Sequence, residues 1–165
     1  FDGRCDAICL STSAVAPPEG YEALKRYRDK MLKTGQRMRS AGVFDLVVVG
    51  GGVAGMSAAV AAARLGLKVA LVQNRPVLGG NNSSEVRVHL GGRINTGKYP
   101  RLGDLQKEFG PTQEGNAMPA ENYADGRKLK FVKGEPNVSL FLNHHVCGVQ
   151  MQGQHIPMTL SLIHI

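Results

Sequence analysis

At 165 residues, with 42% hydrophobic and 20% charged residues, the chain has the composition of a globular protein of one domain with an ordinary core. No apolar run approaches the roughly 18–20 residues that a membrane span needs, so we expect no membrane partner. The formal net charge of +7 makes nucleic acid a partner to consider, and the distribution of that charge argues against it.

Residues 1–18 begin with a short strand pattern followed by a polar loop, and charged residues interrupt any apolar core of a secretory signal. The first residue is Phe rather than Met, so we expect the true N-terminus to lie upstream of residues 1–18. The compartment stays open, with the cytoplasm as the default. Cys5 and Cys9 fall on one face of the strand pattern, which predicts buried small side chains rather than a disulfide.

A basic amphipathic helix is predicted between residues 19 and 42, after Pro17-Pro18 and before Gly42. Between residues 19 and 39, seven Lys/Arg stand against three acidic residues, a balance of +4 out of the total of +7. Apolar residues recur there at near-helical spacing, and no array of base-stacking aromatic residues accompanies them. We therefore expect a connector helix with a solvated basic face and no nucleic-acid partner.

A strand, a glycine-rich turn and a helix follow. Residues 44–49 are apolar and largely β-branched, as in a central strand of a parallel sheet. The next residues, GGGVAG, satisfy G-x-G-x-x-G, whose glycines allow a tight turn, close approach of a diphosphate and close helix–strand packing. The alanine-rich helix then directs free N–H groups and its positive dipole end at the phosphates. The predicted dinucleotide contacts are Gly50, Gly52, Val53, Ala54 and Gly55.

A second strand, residues 68–72, completes a right-handed βαβ unit and predicts an α/β fold, the Rossmann-like three-layer fold that binds FAD or NAD(P). Gln73 stands where an Asp or Glu commonly binds the ribose, and its amide can still hold the hydroxyls, with Asn74 beside it. Arg75 keeps NADP open, as a partner for a 2′-phosphate. These residues alone do not decide between the dinucleotides.

The segment RPVLGGNNSSEVRVHLGG, residues 75–92, resembles the flavin-contacting segment of FAD-dependent oxidoreductases of the glutathione-reductase superfamily. Together with GGGVAG and LVQNRPVLGGN, it is similar to the bacterial FAD-dependent oxidoreductase family, in which Gln at the strand end is normal. The resemblance implies FAD as cofactor, a main-chain contact to adenine near Val146, and further flavin-binding and substrate segments beyond residue 159. It also implies cofactor contacts from Arg75, Gly79 and Gly80. Four short polar residues of the same segment could hydrogen-bond flavin or phosphate, with a solvated turn as the alternative: Asn81, Asn82, Ser83 and Ser84. Some members of the family carry a β-sandwich-like segment upstream, and residues 1–18 resemble the end of such a module.

The alternation in EVRVHL predicts a strand with Glu85, Arg87 and His89 on one face. If that face points into an active site, His89 is our candidate general acid/base and Arg87 the anchor of an anionic group. An exposed polar strand face is the alternative. His144 and His145 lack partners at metal-ligand spacing, so no metal site is predicted.

The rest of the chain is less informative. Residues 93–134 are polar, with weak helical signals at 104–109 and 122–131, and residues 137–152 are predicted to form two strands. The final LSLIHI, residues 160–165, matches the translation of a transposon-end adaptor used in sequencing libraries. We expect an artefact there, with a genuine short apolar strand as the alternative.

The sequence therefore predicts that residues 43–159 are a truncated FAD-binding domain of a flavoprotein that transfers hydride between FAD and an unidentified small-molecule substrate. We expect this fragment alone to bind FAD weakly and to be inactive. Two alternatives remain: an NAD(P)-dependent dehydrogenase, which shares the βαβ unit, and a non-enzymatic fragment that acts through the basic helix. The oligomeric state is left open.

Overall fold

The computed structural model describes residues 10–32, 41–92, 96–110, 115–146 and 162–164. The chain divides into two compact units, residues 1–39 and residues 40–165. In the first unit, helix α1 spans Tyr21–Leu32 within the predicted basic helix. Most of the remainder of that predicted helix, and all three cysteines, lie outside the described residues. Among the described helices, none is long and apolar enough to cross a membrane.

The second unit is built on a parallel sheet with strand order β1-β2-β3. The strands are β1 (Leu46–Val49), β2 (Val69–Gln73) and β3 (Val138–Leu142). The connecting helices are α2 (Val53–Arg64), α3 (Asp104–Phe109) and α4 (Asp125–Lys133). Because α2 crosses from β1 to its parallel neighbour β2, the predicted βαβ unit is confirmed. The fold is a Rossmann-like α/β fold.

Helix α2 packs closely on the sheet because the side chains on its inner face are small. Ala59, Val60 and Ala63 are at most 5% exposed, and they pack in one cluster with Val69 and Leu71 of β2. All five residues of β2 are buried, as expected of a strand with a neighbour on each side. This rigid layer holds the carboxyl ends of β1 and β2, where the glycine-rich sequences follow.

An arginine at the end of α2 ties the helices together. The Arg64 guanidinium donates two hydrogen bonds of 2.8 Å to the Glu108 carboxylate of α3 and one of 2.7 Å to Glu135, after α4. The guanidinium lowers the pKa of Glu108, and both carboxylates raise the pKa of Arg64. Because the Arg64 and Glu108 side chains are about two-fifths exposed, solvent screens this pairing, and its role is mainly one of alignment.

The chain beyond β2 agrees with the sequence in part. The helix predicted at residues 104–109 is confirmed as α3, while the one predicted at 122–131 is a 3-10 turn at Ala120–Tyr123 followed by α4. Strand β4 (His144–Val146) contains the histidine pair that was expected between strands. It pairs antiparallel with β5 (Leu162–His164), so part of the expected adaptor sequence adopts a strand, and its origin stays a prediction.

Candidate functional site

The turn between β1 and α2, residues 50–55, forms the first wall of the site, and we call it the glycine turn. Gly50 has a φ of 102°, in the left-handed region, while its N–H donates to the Val72 carbonyl of β2 (2.8 Å). A Cβ on Gly55 would overlap the carbonyl oxygen of Gly50, so only glycine lets α2 close onto the strand. The backbone roles predicted for the glycines at these two positions therefore match the geometry.

The N-terminus of α2 is left open for a ligand. Gly52 caps the helix in an extended conformation (φ −68°, ψ 179°) without a side-chain hydrogen bond, so the first N–H groups, including those of Val53 and Ala54, receive no side-chain cap. A Cβ on Gly52 would meet no atom within 4 Å. Open space thus lies beside N–H groups at the positive end of the helix dipole, an arrangement that suits an anion.

A second loop, residues 78–84, lies beside the glycine turn. The Gly79 N–H donates to the Gly51 carbonyl (2.8 Å), and Gly79 forms a parallel bridge with Gly52. The close approach requires glycine on both sides, because a Cβ on Gly51 would lie 2.5 Å from Leu78 Cδ2 and Gly79 has a φ of 109°. The structure therefore brings the two glycine-rich sequences together, as their predicted joint role requires.

The side-chain amide of Gln73 connects the glycine turn to the chain that leads into the second loop. It is 5% exposed; its Oε1 accepts from the Gly51 N–H (2.9 Å), and its Nε2 donates to the Val77 carbonyl (3.1 Å). Both the oxygen and the nitrogen of the amide that was predicted to bind the ribose thus form hydrogen bonds within the protein. The sequence did not indicate these bonds. The neighbouring Asn74 and Arg75 are exposed, and Arg75 Nη1 lies 3.6 Å from Glu85. Their contacts with a nucleotide remain predictions.

The polar residues of the second loop divide into exposed and buried ones. Asn81 is exposed, whereas Ser83 is buried and its hydroxyl donates to the Gly80 carbonyl (2.7 Å). Ser84 presents its N–H to the Asp125 carboxylate at 3.1 Å. Ser83 and Ser84 are therefore engaged in holding the loop, and contact between them and a flavin stays a prediction.

Asn82 is among the residues predicted to hydrogen-bond flavin or phosphate, and its burial could not be read from its sequence position. It is 2% exposed, and its Nδ2 donates to the Val88 carbonyl (2.9 Å). Among the described residues, its Oδ1 is the one buried side-chain nitrogen or oxygen atom that has no hydrogen-bond partner. Since a buried acceptor without a donor costs about 1–3 kcal/mol, this oxygen fits a bound group that supplies a hydrogen.

Lys128 of α4 is a residue of the site that the sequence did not indicate. Its side chain is fully buried, its stem lies against Gly79, and its Nζ donates to the Tyr123 carbonyl. Burial lowers the pKa of Lys128, and the nearby Asp125 carboxylate opposes that shift to a smaller extent. Helix α4 thus supports the second loop through Lys128 at Gly79 and through Asp125 at Ser84.

The prediction of a strand at EVRVHL is wrong. Arg87 has a φ of 62°, and its N–H donates back to the Ser83 carbonyl (2.8 Å), so residues 83–87 form a turn instead of an alternating strand. The Arg87 guanidinium donates to the Ser84 carbonyl (3.0 Å), and its role as anion anchor stays a prediction. His89 is exposed and lies against Asn116 rather than on one strand face with Glu85.

Val146 lies on β4, which follows β3 in the chain. The Asn143 N–H just before β4 donates to the Arg75 carbonyl (3.3 Å), which brings the start of β4 next to the residues that follow β2. The predicted adenine contact at Val146 is not tested by this arrangement. In the part of the chain that the structure describes, there is no group of three His, Cys, Asp or Glu residues that could hold a metal.

The parallel βαβ unit, the glycine turn at the N-terminus of α2 and the adjoining second loop define a dinucleotide-binding α/β protein. The family model described as "FAD dependent oxidoreductase" matches residues 45–161, which is more than half of the chain. The chain therefore belongs to this family. The match confirms the predicted family, the oxidoreductase class and FAD as the family's cofactor.

Curated relatives match shorter segments. The "Soluble pyridine nucleotide transhydrogenase" of Ectopseudomonas mendocina (strain ymp) is 58% identical over 38 residues, 23% of this chain and 8% of that protein. The "Glycerol-3-phosphate dehydrogenase" of Mycobacterium leprae (strain TN) is 49% identical over 49 residues, 30% of this chain and 8% of that protein. The matched part of the chain thus spans 8% of the length of each relative.

One solved structure with a similar fold is that of the GidA-related protein from Thermus thermophilus. It aligns with 70% of this chain and 44% of its own chain, with 18% sequence identity and a TM-score of 0.46.

Proposed function

We propose that residues 43–159 form the FAD-binding part of an enzyme that oxidises or reduces a small-molecule substrate. The observation that carries this proposal is the open space beside Gly52 at the uncapped N-terminus of α2. A diphosphate fits there, because backbone N–H groups and a helix dipole stabilise its charge without a cationic side chain. The unpartnered Asn82 Oδ1 supports a cofactor that also carries hydrogen-bond donors.

In this proposal the N–H groups of Gly52, Val53 and Ala54 receive the diphosphate, and the second loop borders it. We expect Asn74 and Arg75, which are exposed at the end of β2, and Val146 on β4 to contact the adenosine part of the nucleotide. Bound FAD would supply the site at which a substrate gives up or receives an electron pair. His89 is the residue we propose to exchange a proton with the substrate, since its side chain is exposed.

The test compares two Gly→Ala variants in flavin titrations of the purified chain. Gly52→Ala adds one methyl group to the open space at the α2 N-terminus, where the backbone angles suit any residue. We expect at least about a tenfold loss of FAD affinity, roughly the free energy of one hydrogen bond to a charged group. The thermal unfolding midpoint should stay close to that of the wild type.

The matched control is Gly126→Ala, in α4, where an added Cβ also meets nothing within 4 Å. It should leave FAD affinity unchanged. Equal affinities for the wild type and Gly52→Ala would contradict the proposed phosphate site. A preparation that binds NADPH but no FAD would instead favour the dehydrogenase alternative.

A further inference from the structure

His89 and Asn116 form a contact that fixes the chemistry of the imidazole. The Asn116 Oδ1 atom lies 2.9 Å from the His89 backbone nitrogen and 2.7 Å from His89 Nδ1. A backbone N–H can only donate, so the amide atom that faces it must be the oxygen. The same oxygen can only accept from Nδ1, and Nδ1 therefore carries a hydrogen. In the neutral ring, Nε2 is then the nitrogen that has a free lone pair.

The segments that carry the two residues are held together by a buried tyrosine. The Tyr123 hydroxyl, on a residue 2% exposed, lies 2.7 Å from the Arg87 carbonyl and 3.0 Å from the Gly115 carbonyl. It also accepts from the Met118 N–H at 3.2 Å. The carbonyls of Arg87, two positions before His89, and of Gly115, just before Asn116, thus both lie within hydrogen-bond distance of one hydroxyl. The His89–Asn116 contact is therefore built into the fold.

Gly91 leaves room at the other ring nitrogen. A Cβ on Gly91 would lie 3.3 Å from His89 Nε2, closer than nearly all ordinary contacts of a Cβ atom. The position of a Gly91 side chain would therefore lie next to Nε2, and a larger residue would crowd the atom that has the lone pair. His89 itself is exposed, so a small molecule can reach this nitrogen.

We propose that Asn116 is a positioning residue that holds His89 in the Nδ1–H tautomer, and that Gly91 keeps Nε2 accessible for proton transfer. The transferred proton comes from an O–H or N–H group of the substrate: that bond breaks, the Nε2–H bond forms, and Asn116 Oδ1 stabilises the charged ring. The inference deepens the proposed function and rests on it for the identity of the reacting molecule.

The tautomer is measured on the full chain, labelled with ¹⁵N-histidine, by two-bond ¹H–¹⁵N correlation of the rings, with His89→Gln used to assign the signals. The neutral ring of wild-type His89 should show a protonated Nδ1 and an unprotonated Nε2. Asn116→Ala should shift the ring toward the Nε2–H tautomer, whereas Asn116→Asp, which keeps an oxygen acceptor, should retain the wild-type pattern. A wild-type ring protonated at Nε2, or one unchanged by Asn116→Ala, would overturn the proposal.

Accessibility is measured separately, as the rate at which diethyl pyrocarbonate modifies His89, followed by mass spectrometry of the His89 peptide. Gly91→Ala should slow this reaction several-fold and leave the tautomer unchanged, and an unaltered rate would contradict the role of Gly91. Neither measurement requires FAD. A chain that binds FAD with His89 in the wrong tautomer overturns this inference alone, whereas the correct tautomer without FAD binding overturns the proposed function alone.

Discussion

Gln73 shows why a neutral amide suits the end of β2 in this chain. The side chain must accept a hydrogen from the Gly51 N–H and at the same time donate one to the Val77 carbonyl. An amide offers both an acceptor and a donor, whereas an ionised carboxylate offers acceptors only. In the described structure, Gln73 therefore connects the glycine turn to the chain leading into the second loop. That connection gives it a role that does not depend on the ribose.

This reasoning predicts that Gln73→Glu destabilises the chain at neutral pH. The carboxylate would face the Val77 carbonyl in a site that is 5% exposed, at a cost of about 1–3 kcal/mol in the free energy of unfolding. Urea denaturation should show the loss at pH 7 and a smaller loss near pH 4, because burial raises the pKa of the new carboxyl and its protonated form can donate to Val77. A loss that does not change between these pH values would contradict the prediction.

At the scale of elements, α4 supports the second loop with Lys128, a buried amine whose protonated form is destabilised by the loss of solvent. Lys128 is fully buried beside Gly79, and desolvation lowers its pKa below the usual 10.5. The unfolded chain binds the proton of Lys128 more readily than the folded one does. Between the lowered folded pKa and 10.5, stability therefore rises with pH, and below both values the full cost of charging the buried amine is present.

We therefore predict a pH-dependent effect of Lys128→Met, which removes the ionisable group and keeps an unbranched apolar side chain. The stability of the wild type relative to this variant should increase as the pH is raised from 7 toward 10.5. Thermal unfolding at several pH values measures the difference. Lys130→Met, at an exposed position of the same helix, is the control and should show much less change. Parallel pH profiles for wild type and Lys128→Met would rule out the predicted shift.

At the scale of the whole molecule, the sequence predicts what depends on neighbouring residues and misses what depends on distant ones. The βαβ unit and the glycine turn follow from local spacing, because G-x-G-x-x-G restricts its own backbone. The role of Lys128 follows from its burial against Gly79 of the second loop, and this loop and α4 are more than forty residues apart in sequence. The alternation at EVRVHL predicted a strand, but the left-handed Arg87 and the bonds of its carbonyl to Tyr123 and Ala117 give a turn.

The sheet itself predicts how the isolated chain behaves in solution. Strand β1 is at one edge of the described sheet, and its apolar residues Leu46 and Val49 are 36% and 58% exposed. An apolar edge strand is a site at which another chain can pair, and a lysine at the edge opposes such pairing.

We expect the chain to associate as its concentration rises, and we expect Leu46→Lys to weaken this association. Light scattering after size-exclusion chromatography measures both, with Leu65→Lys, an 83% exposed position at the end of α2, as the control. If Leu65→Lys weakened association as much as Leu46→Lys does, general surface charge rather than the β1 edge would be the cause.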